Sequence, residues 1–160
     1  MIGVFIEPEK SLKKFIIKWK NIIKLDFKNQ KYVDHPPHLS LYVGCLKLND
    51  ALIGEISKKI QNFGEIELKI NKSDFFFNDV YTKKDTIFLK VRKNKKLALL
   101  QLQISNICKK HLIYKRKKKI KFSDDVLNRS YLKYGFPFVG SHWIPHFTIA
   151  SINNLKKKKI

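Results

Sequence analysis

The spacing of apolar residues changes several times along the chain, and each change marks an element. The run Ile2, Val4, Phe5 and Ile6 predicts a first strand, ended by Pro8. From Glu9 to about Leu25 the period lengthens. Leu12, Phe15, Ile16, Trp19, Ile22 and Ile23 recur at helical spacing with lysines opposite, which predicts an amphipathic helix. HLSLYVG then alternates as a strand and stops near Gly44. Asn49 or Asp50 is placed to cap a second helix, with a stripe of Leu52, Ile56 and Ile60 and a closing Gly64. The stretches 65–81 and 85–93 follow as strands, joined around Thr82, Lys83, Lys84 and Asp85 as a hairpin. Helical spacing returns through Leu97, Leu100, Ile104 and Ile107. From Tyr114 to about Gly140 the pattern weakens into a long excursion with at most a short helix, and a last strand begins at His146.

Strand and helix thus alternate in two rounds without a residue-level repeat. Over 160 residues this fits a single domain, 1–160, of two lobes, with a long basic stretch at about 113–144 and a basic tail at 153–160. The 44% hydrophobic content is enough for a sizeable core and excludes a disordered tail. The formal net charge of +21 points to a polyanionic partner such as RNA, DNA or an anionic membrane. A bias towards lysine, asparagine and isoleucine codons explains the same excess, so charge alone supports a partner class weakly. Cys45 and Cys108 lie inside apolar patterns without ligand spacing, as buried thiols do in a reducing compartment. The N-terminal segment lacks the basic region of a signal peptide, and no run approaches the roughly 18 to 20 apolar residues of a membrane span. A soluble, cytoplasmic monomer is expected.

Two short segments carry the chemistry. Pro37-His38-Leu39-Ser40-Leu41 and Pro145-His146-Phe147-Thr148-Ile149 share one pattern: proline, histidine, a large apolar residue, a hydroxyl residue and another large apolar residue. On a strand, His38 and Ser40 share one face, as do His146 and Thr148, while the apolar neighbours anchor the other. Two such strands facing each other converge two imidazoles and two hydroxyls. One neutral histidine can take a proton from the attacking oxygen, and the other, as imidazolium, can protonate the leaving oxygen. The hydroxyls can hold nonbridging phosphate oxygens. A phosphodiester can be cleaved this way without a metal or other cofactor. The competing explanation is that both histidines are ordinary polar residues at strand starts, which the repeated context disfavours.

At these motifs the sequence resembles the 2H phosphoesterase superfamily, which includes 2′-5′ RNA ligase-like proteins and 2′,3′-cyclic phosphodiesterases. The family signature is two copies of His-x-Thr/Ser on strands, here HLS at 38–40 and HFT at 146–148. The opening strand leading directly into a helix is similar too. This resemblance implies an α+β, bilobal fold in which two antiparallel sheets form a central groove with helices outside. It also implies metal-independent action on RNA-type phosphodiesters, with His38 and His146 as the acid/base pair and Ser40 and Thr148 as phosphate contacts. The first motif has serine where threonine is commoner, which keeps the hydroxyl.

Further residues are candidates for substrate contact. Tyr42 shares the His38 face and can stack on a base, as can Trp143 or the run Phe75 to Phe77, although aromatics are more often core. Lys90 and Arg92 share one face of their strand, within reach of a groove or simply on its solvated side. His35 and His142 lie near the motif histidines, but only Asp34 accompanies them, so no metal site is expected. His111 falls where a helix C-terminus favours positive charge. The expected partner is an RNA or oligonucleotide. Hydrolysis of a 2′,3′-cyclic phosphate or a 2′-5′ linkage leads. The alternatives are a phosphodiesterase of signalling oligonucleotides, such as 2′-5′ oligoadenylate or cyclic dinucleotides, and a noncatalytic RNA-binding module.

Overall fold

The computed structural model describes residues 1–113, 122 and 124–153, so the basic run at 114–121 and the tail from 154 lie outside the described residues. The order is β1 (Ile2–Ile6), α1 (Lys10–Asp26), β2 (Leu39–Gly44), α2 (Asp50–Gln61), β3 (Ile70–Phe76), β4 (Asp85–Val91), α3 (Lys95–Lys110), α4 (Asp125–Tyr134), a 3₁₀ turn at Gly140–His142 and β5 (His146–Ile152). The fold is mixed α+β. Where the resemblance implies two sheets, these strands hydrogen-bond into one five-stranded sheet of order β1-β2-β5-β4-β3. The reason is a single antiparallel register, Leu39 against Phe147, which makes the two motif strands neighbours. Strand β5 also pairs antiparallel with β4, and β4 with β3.

By its contacts the chain divides into two compact units. The first comprises residues 1–5, 40–68 and the described part of 93–145. Its centre is α3, started by the Asn94 side chain accepting from the Leu97 N–H at 2.8 Å. The expected stripe Leu97, Leu100, Ile104 and Ile107 is buried, and Gln101, Ser105 and Cys108 are buried with it. Burial pushes the Cys108 thiol up to about 12. Helix α2 begins at Asn49, whose side chain accepts from Leu52 N–H at 2.9 Å, but only Leu52 of its predicted stripe is buried, and Ile60 is exposed. The short helix allowed within the excursion is α4, which ends at Gly135 in the left-handed conformation. Its left-handed φ of 68° favours glycine, and a Cβ there would also press on the end of the Leu112 side chain. His111 caps α3 and stands 3.3 Å from Glu55.

The second unit comprises residues 6–39, 69–92 and the described residues from His146. Strands β3, β4 and β5 carry it, and α1 packs on β5. The predicted apolar stripe of α1 is only partly buried: Ile16 and Ile23 are inside, whereas Phe15 and Trp19 are exposed. Lys20 completes the buried stripe, because its long stem is apolar and its ammonium reaches a main-chain carbonyl. The β3–β4 turn is organised by Asp79, which accepts from the N–H groups of Tyr81 and Thr82 and from the Thr86 hydroxyl. That hydroxyl also lies 2.5 Å from Ser151 of β5.

Candidate active site

Each motif begins at a proline. Pro37 and Pro145 are buried and stand where a strand starts, the position that tolerates the missing N–H donor. Leu39 and Phe147, the central residues of the motifs, are Cα partners and both fully buried. Side chains alternate along strands, so the residues flanking this pair point to the other face. One step outward in the same register, His38 stands against Thr148, and His146, two residues earlier on β5, lies diagonally from His38. Diagonal neighbours in such a ladder are about 7–8 Å apart, with their Cβ atoms somewhat closer. On the other side of β5, Thr148 faces Phe88 and His146 faces Lys90 of β4. His38, His146 and Thr148 are all half-buried.

The two imidazoles have different surroundings. His38 Nδ1 lies 2.7 Å from the Pro36 carbonyl oxygen, which can only accept, so Nδ1 carries the proton and Nε2 presents a lone pair. Burial holds the His38 imidazole below the ordinary histidine range; the Pro36 carbonyl opposes this, and the charges of Lys20 and His35 add to it. His146 instead sits against an aromatic wall. Phe88 approaches its ring at 5.0 Å and Phe76 meets it edge-on at 5.1 Å, while Phe76 and Phe88 stack on each other at 4.1 Å. Phe88 is buried, whereas Phe76 is half-buried and keeps part of its ring accessible.

The remaining candidates fall into two groups. Lys90 lies beside this cluster, 3.7 Å from the Asp74 carboxylate. The same carboxylate pairs with Lys72 at 3.3 Å, and the Phe75 main-chain N–H together with the two lysines holds its pKa down. Arg92 lies just past the end of β4 and is exposed. Ser40, Tyr42 and Trp143 belong to the first unit. Ser40 follows His38 by two positions and is half-buried; its main-chain carbonyl accepts the Trp143 indole N–H at 2.9 Å. Trp143 is 4% exposed, and its ring has the Lys93 ammonium above it at 5.9 Å, so it serves as a packed anchor and offers no open stacking face.

Tyr42 requires a correction. Its side chain is completely buried, its ring lies 5.5 Å from that of Phe136, and its hydroxyl donates to the Tyr134 carbonyl. A base cannot reach it. The face of β2 that is polar at Ser40 is covered by the 134–136 segment at Tyr42, and burial raises the phenol pKa strongly. Tyr42→Phe is therefore expected to lower stability by about 1 kcal/mol through the lost hydrogen bond. Substrate KM should stay unchanged, as read by denaturant unfolding and steady-state kinetics.

Phe76, Phe88 and Lys20 were not singled out by sequence as neighbours of the motifs. Phe76 belongs to an aromatic run that was legible, but its contact with His146 depends on the β3–β4–β5 register. Among the described residues, no group of three or more histidine, cysteine, aspartate or glutamate side chains converges as metal ligands, and no helix is long and apolar enough to cross a membrane. The sequence model of the 2'-5' RNA ligase superfamily matches residues 8–158 of the chain. No curated protein matches it.

Proposed function

Because the chain belongs to the 2'-5' RNA ligase superfamily, we propose that it is a metal-independent phosphodiesterase of RNA-type 2′,3′-cyclic phosphates or 2′-5′ linkages, acting through His38 and His146. The observation that supports this most is the pairing of Leu39 with Phe147, since it brings the two histidine motifs side by side with their histidines on one face. In hydrolysis of a cyclic phosphate, Nε2 of His38 takes a proton from water as its oxygen bonds to phosphorus. The bond from phosphorus to one ribose oxygen breaks, and His146, as imidazolium, delivers a proton to that oxygen. The Thr148 hydroxyl donates to a nonbridging oxygen as negative charge grows there, the role the sequence motif also assigns to Ser40. In the reverse direction the two histidines exchange roles.

The assignment of His38 as base follows from its tautomer and its low affinity for a second proton. A pH dependence with a definite sign results. The base works only when neutral, so activity is lost as pH falls through the His38 titration. Because burial lowers that titration, kcat/KM should hold to a lower pH than an ordinary imidazole allows. The deciding assay offers the wild-type protein 2′,3′-cyclic nucleotides and short 2′-5′ and 3′-5′ oligonucleotides in the presence of EDTA. Turnover of a cyclic phosphate or a 2′-5′ linkage is expected, and the preferred substrate separates RNA processing from hydrolysis of a signalling oligonucleotide. No turnover of any of them, with RNA binding that weakens steeply as salt rises, would replace this proposal with a binding module.

A further inference from the structure

Lys20 has no part in the chemistry above, yet it is the one charged side chain buried among the described residues, with 3% of its surface exposed. It stands between Ile16 and Ile23 in the inward stripe of α1, where an apolar residue is the ordinary choice. Its ammonium donates to the Tyr32 main-chain carbonyl at 2.5 Å. Tyr32 adopts a left-handed φ of 69°, uncommon for a non-glycine residue, within the segment that runs from α1 to His38. Other bonds tie that segment down around the same point. Lys24 pairs with Asp34 at 2.6 Å, the main chain of Lys31 exchanges two hydrogen bonds with Ser151 of β5, and Lys84 donates to the Asn29 carbonyl.

We propose that Lys20 is a positioning residue for His38: it holds the Tyr32 carbonyl, and with it the segment ending in the imidazole, and it brings a buried positive charge to that segment. The inference rests on His38 acting as the base. Among the described residues, the charged or titratable groups that act on His38 include Lys20 from α1 and His35 from its own segment, and the β2–β5 register sets His146 diagonally from it. Lys20 in turn faces Tyr32 and Asp34, the latter already engaged by Lys24. Burial brings Lys20 down to about 8, so its ammonium is still charged throughout the more acidic range in which His38 titrates. The arrangement separates two roles that one residue seldom combines. The hydrogen bond fixes geometry, and the charge adds to the burial that keeps the ring neutral.

The test is an NMR titration of the His38 ring, run alongside the pH dependence of kcat/KM, in the wild type and in Lys20→Met, Lys20→Gln and Lys20→Arg. Lys20→Gln keeps an N–H donor for Tyr32 and removes the charge. Both neutral variants should move the His38 titration, and with it the acid limb of kcat/KM, to higher pH, and Lys20→Arg should restore the wild-type profile. A His38 titration left in place in both, or a rate lowered by one factor at every pH, would reduce Lys20 to a structural staple. The wild type provides a check that needs no variant: the His38 resonances should show a second inflection near the Lys20 titration at about pH 8, and its absence also overturns the coupling. If the wild type turns over no phosphodiester, the functional proposal fails while the ring titrations still decide the coupling of Lys20 to His38.

Discussion

Replacing His38 or His146 by alanine is expected to lower turnover of the preferred phosphodiester by about 10²–10⁴-fold in each case, the range lost when a positioned acid or base is removed. The two losses should not multiply. Groups that act in one proton-transfer sequence fail together, so the double variant is expected to fall little below the weaker single variant. The two substitutions differ in what else they disturb. His38 is half-buried at the edge of β2 and bonds through Nδ1 to its own segment, so its removal leaves the Leu39–Phe147 anchor in place. His146 packs on Phe76 and Phe88, so His146→Gln, which keeps more of the side-chain volume, is the control that separates lost chemistry from lost packing. Both measurements belong in EDTA. A single variant that retains most of the wild-type kcat/KM would remove that histidine from the proton-transfer pair.

How much of this was legible in advance depended on how local each feature is. The stripe of α3 is the clear success, since Leu97, Leu100, Ile104 and Ile107 are all buried as their spacing predicts. Helix α1 lies where the apolar spacing predicts it, but its inward face is turned away from Phe15 and Trp19 and towards Lys20. Hydrophobic periodicity classifies lysine as polar and so misses a stem that fills an apolar stripe while its ammonium finds a carbonyl. Tyr42 failed for a related reason. Alternation along β2 assigns it to the His38 face, but the 134–136 segment that covers it is distant in sequence, and no pattern within β2 reports it. The two motifs were visible because each is contiguous. Their pairing was not visible, because a register between positions 39 and 147 is a non-local choice that makes one sheet where the resemblance implied two.

The second large effect is expected at a residue with no reactive group. Phe88 is 2% exposed, stacks on Phe76 at 4.1 Å, stands 5.0 Å from the His146 ring and faces Thr148 across the β4–β5 ladder. Phe88→Ala removes a buried ring at the centre of the second unit and should destabilise the protein by about 3–5 kcal/mol. At this chain length each kcal/mol corresponds to roughly 2–4 °C in Tm. The same substitution takes away one side of the wall that holds His146, so kcat should fall even at temperatures where the variant is folded. Phe88→Leu refills most of the volume and should recover most of the stability; activity returns with it only to the extent that His146 is again confined. Phe77 supplies the comparison. It lies in the same aromatic run, one residue beyond β3, stacks on Phe75 at 6.1 Å and is 51% exposed, so Phe77→Ala, by that exposure, should change stability by no more than about 0.5 kcal/mol. Thermal unfolding of these three variants, with kcat measured well below each midpoint, tests the register directly. An unfolding midpoint unchanged in Phe88→Ala would mean that β4 does not carry Phe88 inward beside His146, and the face on which the two motifs meet would have to be redrawn.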